Sequence, residues 1–231
     1  MSQNYTLLKR SEETIIENFN NYLKFAFDMF SKYKAIIENF NEENIVNGVK
    51  EIDDLEKQSD LMHLDLTEEL IWDLSKDQPL LTHLRWYVCA LNSIRDIERI
   101  CDYIDLNIKS HNKMKIMPEF LQRRLLEIIN YIYLIFEKFL AKVTNMEAVD
   151  FFESFMKEMN EFDNYYQNVL NNLIKDFEDV LLFSQKHRIR IGLIFHNYNR
   201  IMERLENIIE NIVFIHDPEY FRRKLNQEKS L

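Results

Sequence analysis

The sequence predicts an all-α protein: six helices folded as two pseudo-symmetric three-helix bundles. Three observations predict it. First, 231 residues include only 2 glycines and 3 prolines. Sheets, barrels and nucleotide-binding turns need glycines at positive φ, so long uninterrupted helices fit better. Second, apolar residues recur at helical spacing, as in Ile94, Ile97, Ile100, Ile104 and Ile108,. Third, the chain says nearly the same thing twice. Glu51-Ile52-Asp53 returns as Glu161-Phe162-Asp163, and Ile97-Glu98-Arg99-Ile100-Cys101-Asp102 returns as Met202-Glu203-Arg204-Leu205-Glu206-Asn207. An internal repeat of this kind decides the architecture.

The first helix is expected over Glu12–Asn39, with Ser11 as its N-cap and acidic residues in its first turn. The second runs over Ile45–Leu74, after the polar stretch Asn39–Glu43. Ser75–Pro79 breaks it, and Pro79 suits the first turn of the third helix, Leu80–Lys109. His111–Pro118 is the clearest polar break and separates the halves. Then come Glu119–Lys142, Glu147–Phe183 and Lys186–Ile215, and Asp217-Pro218 opens a charged tail. The units are therefore 1–112, a first bundle; 118–217, a second; and 218–231, the tail. Short connections make neighbouring helices antiparallel. Most of the 17 Phe and 11 Tyr supply core volume,.

With 29 basic and 39 acidic residues the formal net charge is −10. That argues against nucleic acid as a partner, because phosphates demand a concentrated basic surface. It suits a protein that meets cations or basic surfaces. A chain of this length buries roughly 70% of its unfolded surface and needs no disulfide. Cys89 and Cys101, about 18 Å apart if on one helix, are too distant to bridge. No apolar leader is visible at the start and no stretch reaches the roughly 20 apolar residues of a membrane span. A cytoplasmic protein is expected.

The acidic residues are arranged. On a helical wheel Asp102 falls about 40° from Glu98 and Asp105 about −20°, so the three form one strip beside the apolar face. Glu203, Asn207 and Glu210 form the same strip in the second half, and Asp53 and Asp60 stack on the second helix. Carboxylates one turn apart repel unless a cation lies between them. A solvated acidic face is the plainer reading; repetition in both halves favours metal. Oxygen ligands suit Mg, Ca, Mn or Fe over a zinc–thiolate site. Arg95, Arg99, Arg200 and Arg204 repeat too, as intrahelical partners of these acids or as an anion or partner contact. Asp60-Leu61-Met62-His63 has the spacing of a carboxylate–histidine metal pair. A di-iron bundle enzyme would need a second such pair, and none is present. No phosphate loop, nucleophile elbow or reactive cysteine is visible, so no catalytic residues are assigned.

The stretch from Glu51 to Asn107 resembles the PhoU family of phosphate-uptake regulators. The shared features are Glu51-Ile52-Asp53-Asp54-Leu55-Glu56, Gln78-Pro79, Leu84-Arg85 and Ile97-Glu98-Arg99-Ile100-Cys101-Asp102, in that order. Glu161-Phe162-Asp163 and Glu203-Arg204-Leu205 match more loosely. The resemblance implies a PhoU-like pair of bundles and a negative regulator of phosphate transport with no catalysis. It implies contacts with a phosphate transporter ATPase subunit and a sensor kinase, at the inner face of the membrane through those partners, and a homodimer. Family members with iron or zinc clusters hold them on acidic pairs, which makes Asp53, Glu98, Asp102, Asp163, Glu203 and Asn207 the metal residues here, for Fe, Zn, Mg or Mn. Asn207 stands where Asp102 stands in the first half and brings no charge. A helical accessory protein of another transporter is the alternative, and a di-iron-type enzyme a weaker one.

Overall fold

The computed structural model describes residues 2–114, 117–144, 148–178, 184–220 and 222. Among them are six helices: α1 (Ser2–Glu38), α2 (Glu42–Asp77), α3 (Thr82–Met114), α4 (Glu119–Thr144), α5 (Ala148–Glu178) and α6 (Gln185–His216). The expected helices are all there; two of their predicted starts are not. Ser11 lies inside α1, which begins at Ser2, and so does not stand at the helix start. Pro79 lies in the connection rather than in the first turn of α3. Gln78 adopts the left-handed conformation, φ 46°, and its backbone N–H closes on the Leu74 carbonyl, ending α2 just before the proline,. The expected end of the fifth helix at Phe183 and most of the charged tail lie outside the described residues.

The caps that do form are local chemistry. Asn41 Oδ1 accepts from the Asn44 N–H at 2.8 Å, with Glu42 and Glu43 in the first turn of α2,. Ser184 caps α6 through the His187 N–H. Where α2 crosses α1, Gly48 has no side chain to clash; a Cβ there would stand 2.8 Å from Ile36 Cδ1. A mid-helix glycine costs roughly 1 kcal/mol against alanine, which the closer helix approach offsets.

α1, α2 and α3 pack on one another, as do α4, α5 and α6. Across the molecule each central helix meets its equivalent: α3 lies along α6, and α1 touches α4. This is the contact pattern of two three-helix bundles packed against each other. The contacts put α2, α3, α6 and α5 side by side in one layer, with α1 and α4 behind. One apolar core runs through both bundles, from Ile15 and Phe30 to Phe155 and Ile209. Each such fully buried side chain stabilises by about 1.5–3 kcal/mol before entropy is counted.

The α3–α6 pair is antiparallel, because Ser93 reaches Asn211, Asp96 reaches Arg204, and Asn107 reaches Asn197. Towards the C-terminal end of α3 lies a buried polar knot. Tyr33 Oη of α1 bonds His111 Nε2 at 2.9 Å and also the hydroxyl of Tyr198, tying α1, α3 and α6 together. Asn197 donates to Asn107 Oδ1 at 2.8 Å. Burial holds His111 far below its usual range, to about 3, so it is neutral in the fold,. Unfolded histidine takes a proton below about pH 6.5. Between there and pH 3 the unfolded state binds the extra proton, and stability falls as pH falls.

Urea unfolding of wild type and His111→Gln across pH should expose this. Relative to the variant, the wild type should lose about 1.4 kcal/mol per pH unit below pH ~6.5. A difference that does not move with pH would show that His111 is not held neutral.

Candidate functional site

The seam between α2 and α3 gathers carboxylates. Glu56 and Asp60 are one turn apart on α2, and Asp102 faces them from α3. Their nearest oxygens lie within 4.8 Å of one another. Glu98, one turn before Asp102, adds a fourth. Burial pushes Asp102 up to about 6, and the neighbouring Glu98 and Asp60 charges add to it. Burial and then Asp60 raise Glu98 and Glu56 as well. Arg99 is the counter-charge: its Nη1 stands 3.0 Å from Asp102 and its Nε 3.6 Å from Glu98. Arg95 acts on Glu98 and Lys109 on Glu56 as well, yet burial keeps the acids raised, so a cation would offset their crowding, and the donors are all oxygen,. The residues therefore fit a hard divalent ion.

The structure distributes the six sequence-predicted metal residues unevenly. Glu98 and Asp102 stand in this cluster. Asp53 stands apart: Lys57 Nζ at 2.6 Å and Lys109 Nζ at 2.7 Å hold its carboxylate and keep it down at about 2. Lys109 also bridges to Asp105 at 2.8 Å. Asp163 and Glu203 face each other across the α5–α6 seam. Partial desolvation and then Glu203 raise Asp163, and Glu206 is raised by burial, Glu210, Asp163 and Glu203. Glu203 is already held by Arg200 and by Asn199 at 2.9 Å. Asn207 points away from that seam. Its Nδ2 donates to Asp96 Oδ1 of α3 at 3.3 Å, beside Arg204 Nη1 at 3.0 Å on the same oxygen.

Glu56 went unassigned in the sequence. The signal was present, since Glu56 and Asp60 repeat the four-residue spacing of Glu98 and Asp102. His63 is half-buried beside Asp60 and Arg99, and burial lowers its pKa. Between α3 and α6 a polar groove of about 490 Å³ is lined by Arg95, Arg99, Tyr103 and Arg204 among others. No described helix is long and apolar enough to cross a membrane.

Fold and seams together define a class: a six-helix double bundle with paired acidic seams. Residues 20–106 match the family described as the PhoU domain. The fold is that of the crystal structure of PhoU from Pseudomonas aeruginosa, with TM-score 0.79 at 16% identity, covering 91% of this chain and 99% of that one. It is also similar to the phosphate transport system regulatory protein PhoU from Streptococcus pneumoniae, with TM-score 0.66 at 17% identity over 94% and 98% of the two chains. Two relatives match in sequence along nearly their whole length. The uncharacterized protein MG409 of Mycoplasma genitalium is 28% identical over 229 residues, covering 94% of this chain and 98% of its own. Its homolog in Mycoplasma pneumoniae is 26% identical, covering 95% and 99%. Residues 20–106 are thus similar to the PhoU domain, and both bundles share the fold of the solved PhoU structures.

The raised carboxylates carry a stability prediction. A group whose pKa rises to about 6 in the fold stabilises below its unfolded value near 3.8, and that contribution is lost as pH rises through 6,. In chelator at pH 7.5, Asp102→Asn should therefore melt higher than wild type, with the gain gone at pH 4. An equal or lower melting temperature at pH 7.5 would mean that the acids are not crowded.

Proposed function

We propose that this protein regulates phosphate transport in the cytoplasm, by contact and not by catalysis. It docks on the ATPase subunit of a phosphate transporter and, where one exists, on a sensor kinase, and so reaches the inner face of the membrane through its partners. The PhoU domain match at residues 20–106 carries this reading, supported by the same fold across the second bundle. The PhoU family acts on phosphate transport systems.

The surface supports docking. The outward side of α2 shows Leu61, Leu64, Ile71 and Trp72 to solvent, Trp72 at 69% exposure. The turn that follows shows Leu80 and Leu81, and Leu81 holds the left-handed conformation at φ 56°. Several bulky apolar side chains exposed on one helix face and the turn after it are more often a contact site than an accident. Exposed Asp65 and Glu68 stand among them, so the complementary partner offers apolar contact together with basic groups,.

In this reading a divalent cation on Glu56, Asp60, Glu98 and Asp102 tunes the contact. It supplies charge compensation that stiffens the α2–α3 seam. Asp163 and Glu203 form a weaker counterpart, which Asn207 does not complete.

Two experiments test the proposal. In cells, deletion of the gene should derange phosphate uptake, and Trp72→Ala with Leu81→Ser should reproduce the defect. In vitro the same double variant should lose capture of the phosphate transporter ATPase subunit. Its stability should stay within about 0.5 kcal/mol of wild type, because these side chains are exposed. Normal uptake after deletion would refute the role. Separately, Asp102→Ala should lower bound manganese or iron, measured by mass spectrometry, far more than Asn207→Ala. Equal losses would remove the cation from the scheme.

A further inference from the structure

The seam between α3 and α6 holds something the regulatory reading leaves unused. Three guanidiniums line one groove: Arg95 and Arg99 from α3, Arg204 from α6. Two carboxylates, Asp96 and Glu210, share it. Asp96 is spoken for, since one of its oxygens accepts from both Arg204 and Asn207. Arg99 leans out of the groove towards Asp102 at 3.0 Å. Arg95 is exposed, and its charge acts on Glu98, one turn on, and on His63 of α2.

The volume and the chemistry agree. About 490 Å³ lies inside the range of small-molecule sites, roughly 300–1,000 Å³,. Each guanidinium presents a planar fork of donors and no acceptor, so several of them facing one space favour an oxyanion that accepts from more than one side. Asn211 adds an amide on the α6 wall and Tyr103 a ring on the α3 wall.

We infer that the α3–α6 groove binds a phosphate group, free or carried on a larger molecule, through Arg95, Arg99 and Arg204. Arg99 is the shared element. While Asp102 holds it, one of the three forks is withheld; when that pairing is broken the fork is available to the groove. The acidic seam thereby sets the affinity of the neighbouring basic one. The assignment needs no transport role: a deletion strain with normal phosphate uptake would end the function proposed above and leave this site standing.

Calorimetric titration of the full chain at low ionic strength tests it, with inorganic phosphate in one arm and ATP in the other. Both runs include chelator, so that no cation complicates the acids. Saturable binding is expected in at least one arm. Tighter ATP binding would assign the ligand to a larger phosphorylated molecule, and equal affinities to the phosphate group alone. Arg95→Ala should weaken binding about tenfold, because a charge-assisted contact is lost from an exposed side chain. Arg123→Ala, an exposed arginine on α4, should change nothing. Asp102→Asn should tighten binding several-fold by releasing Arg99. Arg204 supports Asp96 and is left intact, since its loss could unsettle the helix pair. No saturable binding of either probe, or an Arg95→Ala protein with unchanged affinity, would overturn the assignment.

Discussion

The pairing of α3 with α6 is the constraint on which everything else in the molecule depends. A helix in a lone three-helix bundle buries one stripe and gives the rest to water. α3 cannot do so: Tyr87, Ile97 and Ile100 are fully buried, and so are Asn107 and His111. It must face α1, α2 and α6 together. α6 meets the same demand from the other half. Burying polar groups at that meeting is tolerable only because they find each other, as Tyr33 finds His111 and Tyr198, and as Asn107 finds Asn197,. Unlike apolar contacts, such hydrogen bonds have direction. They accept one register of α3 against α6 and penalise a slip by a turn.

That register arranges the charges. With α2, α3, α6 and α5 in a row, three seams run side by side. The outer two gather carboxylates from neighbouring helices, and the middle one gathers arginines. Arg99 stands between the first acidic seam and the basic one, and Arg204 between the basic seam and the second acidic half. Crowding Glu56, Asp60, Glu98 and Asp102 in a half-buried seam disfavours their charged forms, as the rise of Asp102 to about 6 records,. A group poised in this way responds to a cation, a proton or a partner surface with a sizeable change in local charge. That behaviour suits the contact role proposed above.

Much of the fold was legible in the residues. Six amphipathic stretches, the scarcity of Gly and Pro, and the doubled Glu98 and Glu203 motifs prescribed two helical trios. Local signals failed where longer-range geometry took over. Ser11 has the chemistry of a cap but lies within a longer helix. Pro79 suits a first helical turn, yet the left-handed Gln78 had already closed α2. The site was legible in kind and not in membership. Glu98 and Asp102 could be named because spacing along one helix shows in sequence. Asp53 shares the same acidic character, but Lys109 belongs to another helix, and only packing brings its ammonium to 2.7 Å.

The sequence by itself determined which faces are apolar, how many helices form, and that each half carries an acidic strip, because helical periodicity is a local property of the chain. Tertiary structure alone decided which acids meet. It turned Asn207 out of the second seam and onto Asp96, seated Glu56 in the first, and opened an arginine-lined groove between two helices some 110 residues apart. Electrostatic interaction depends on distance through space and on the water excluded between groups, and neither is recorded in the order of residues.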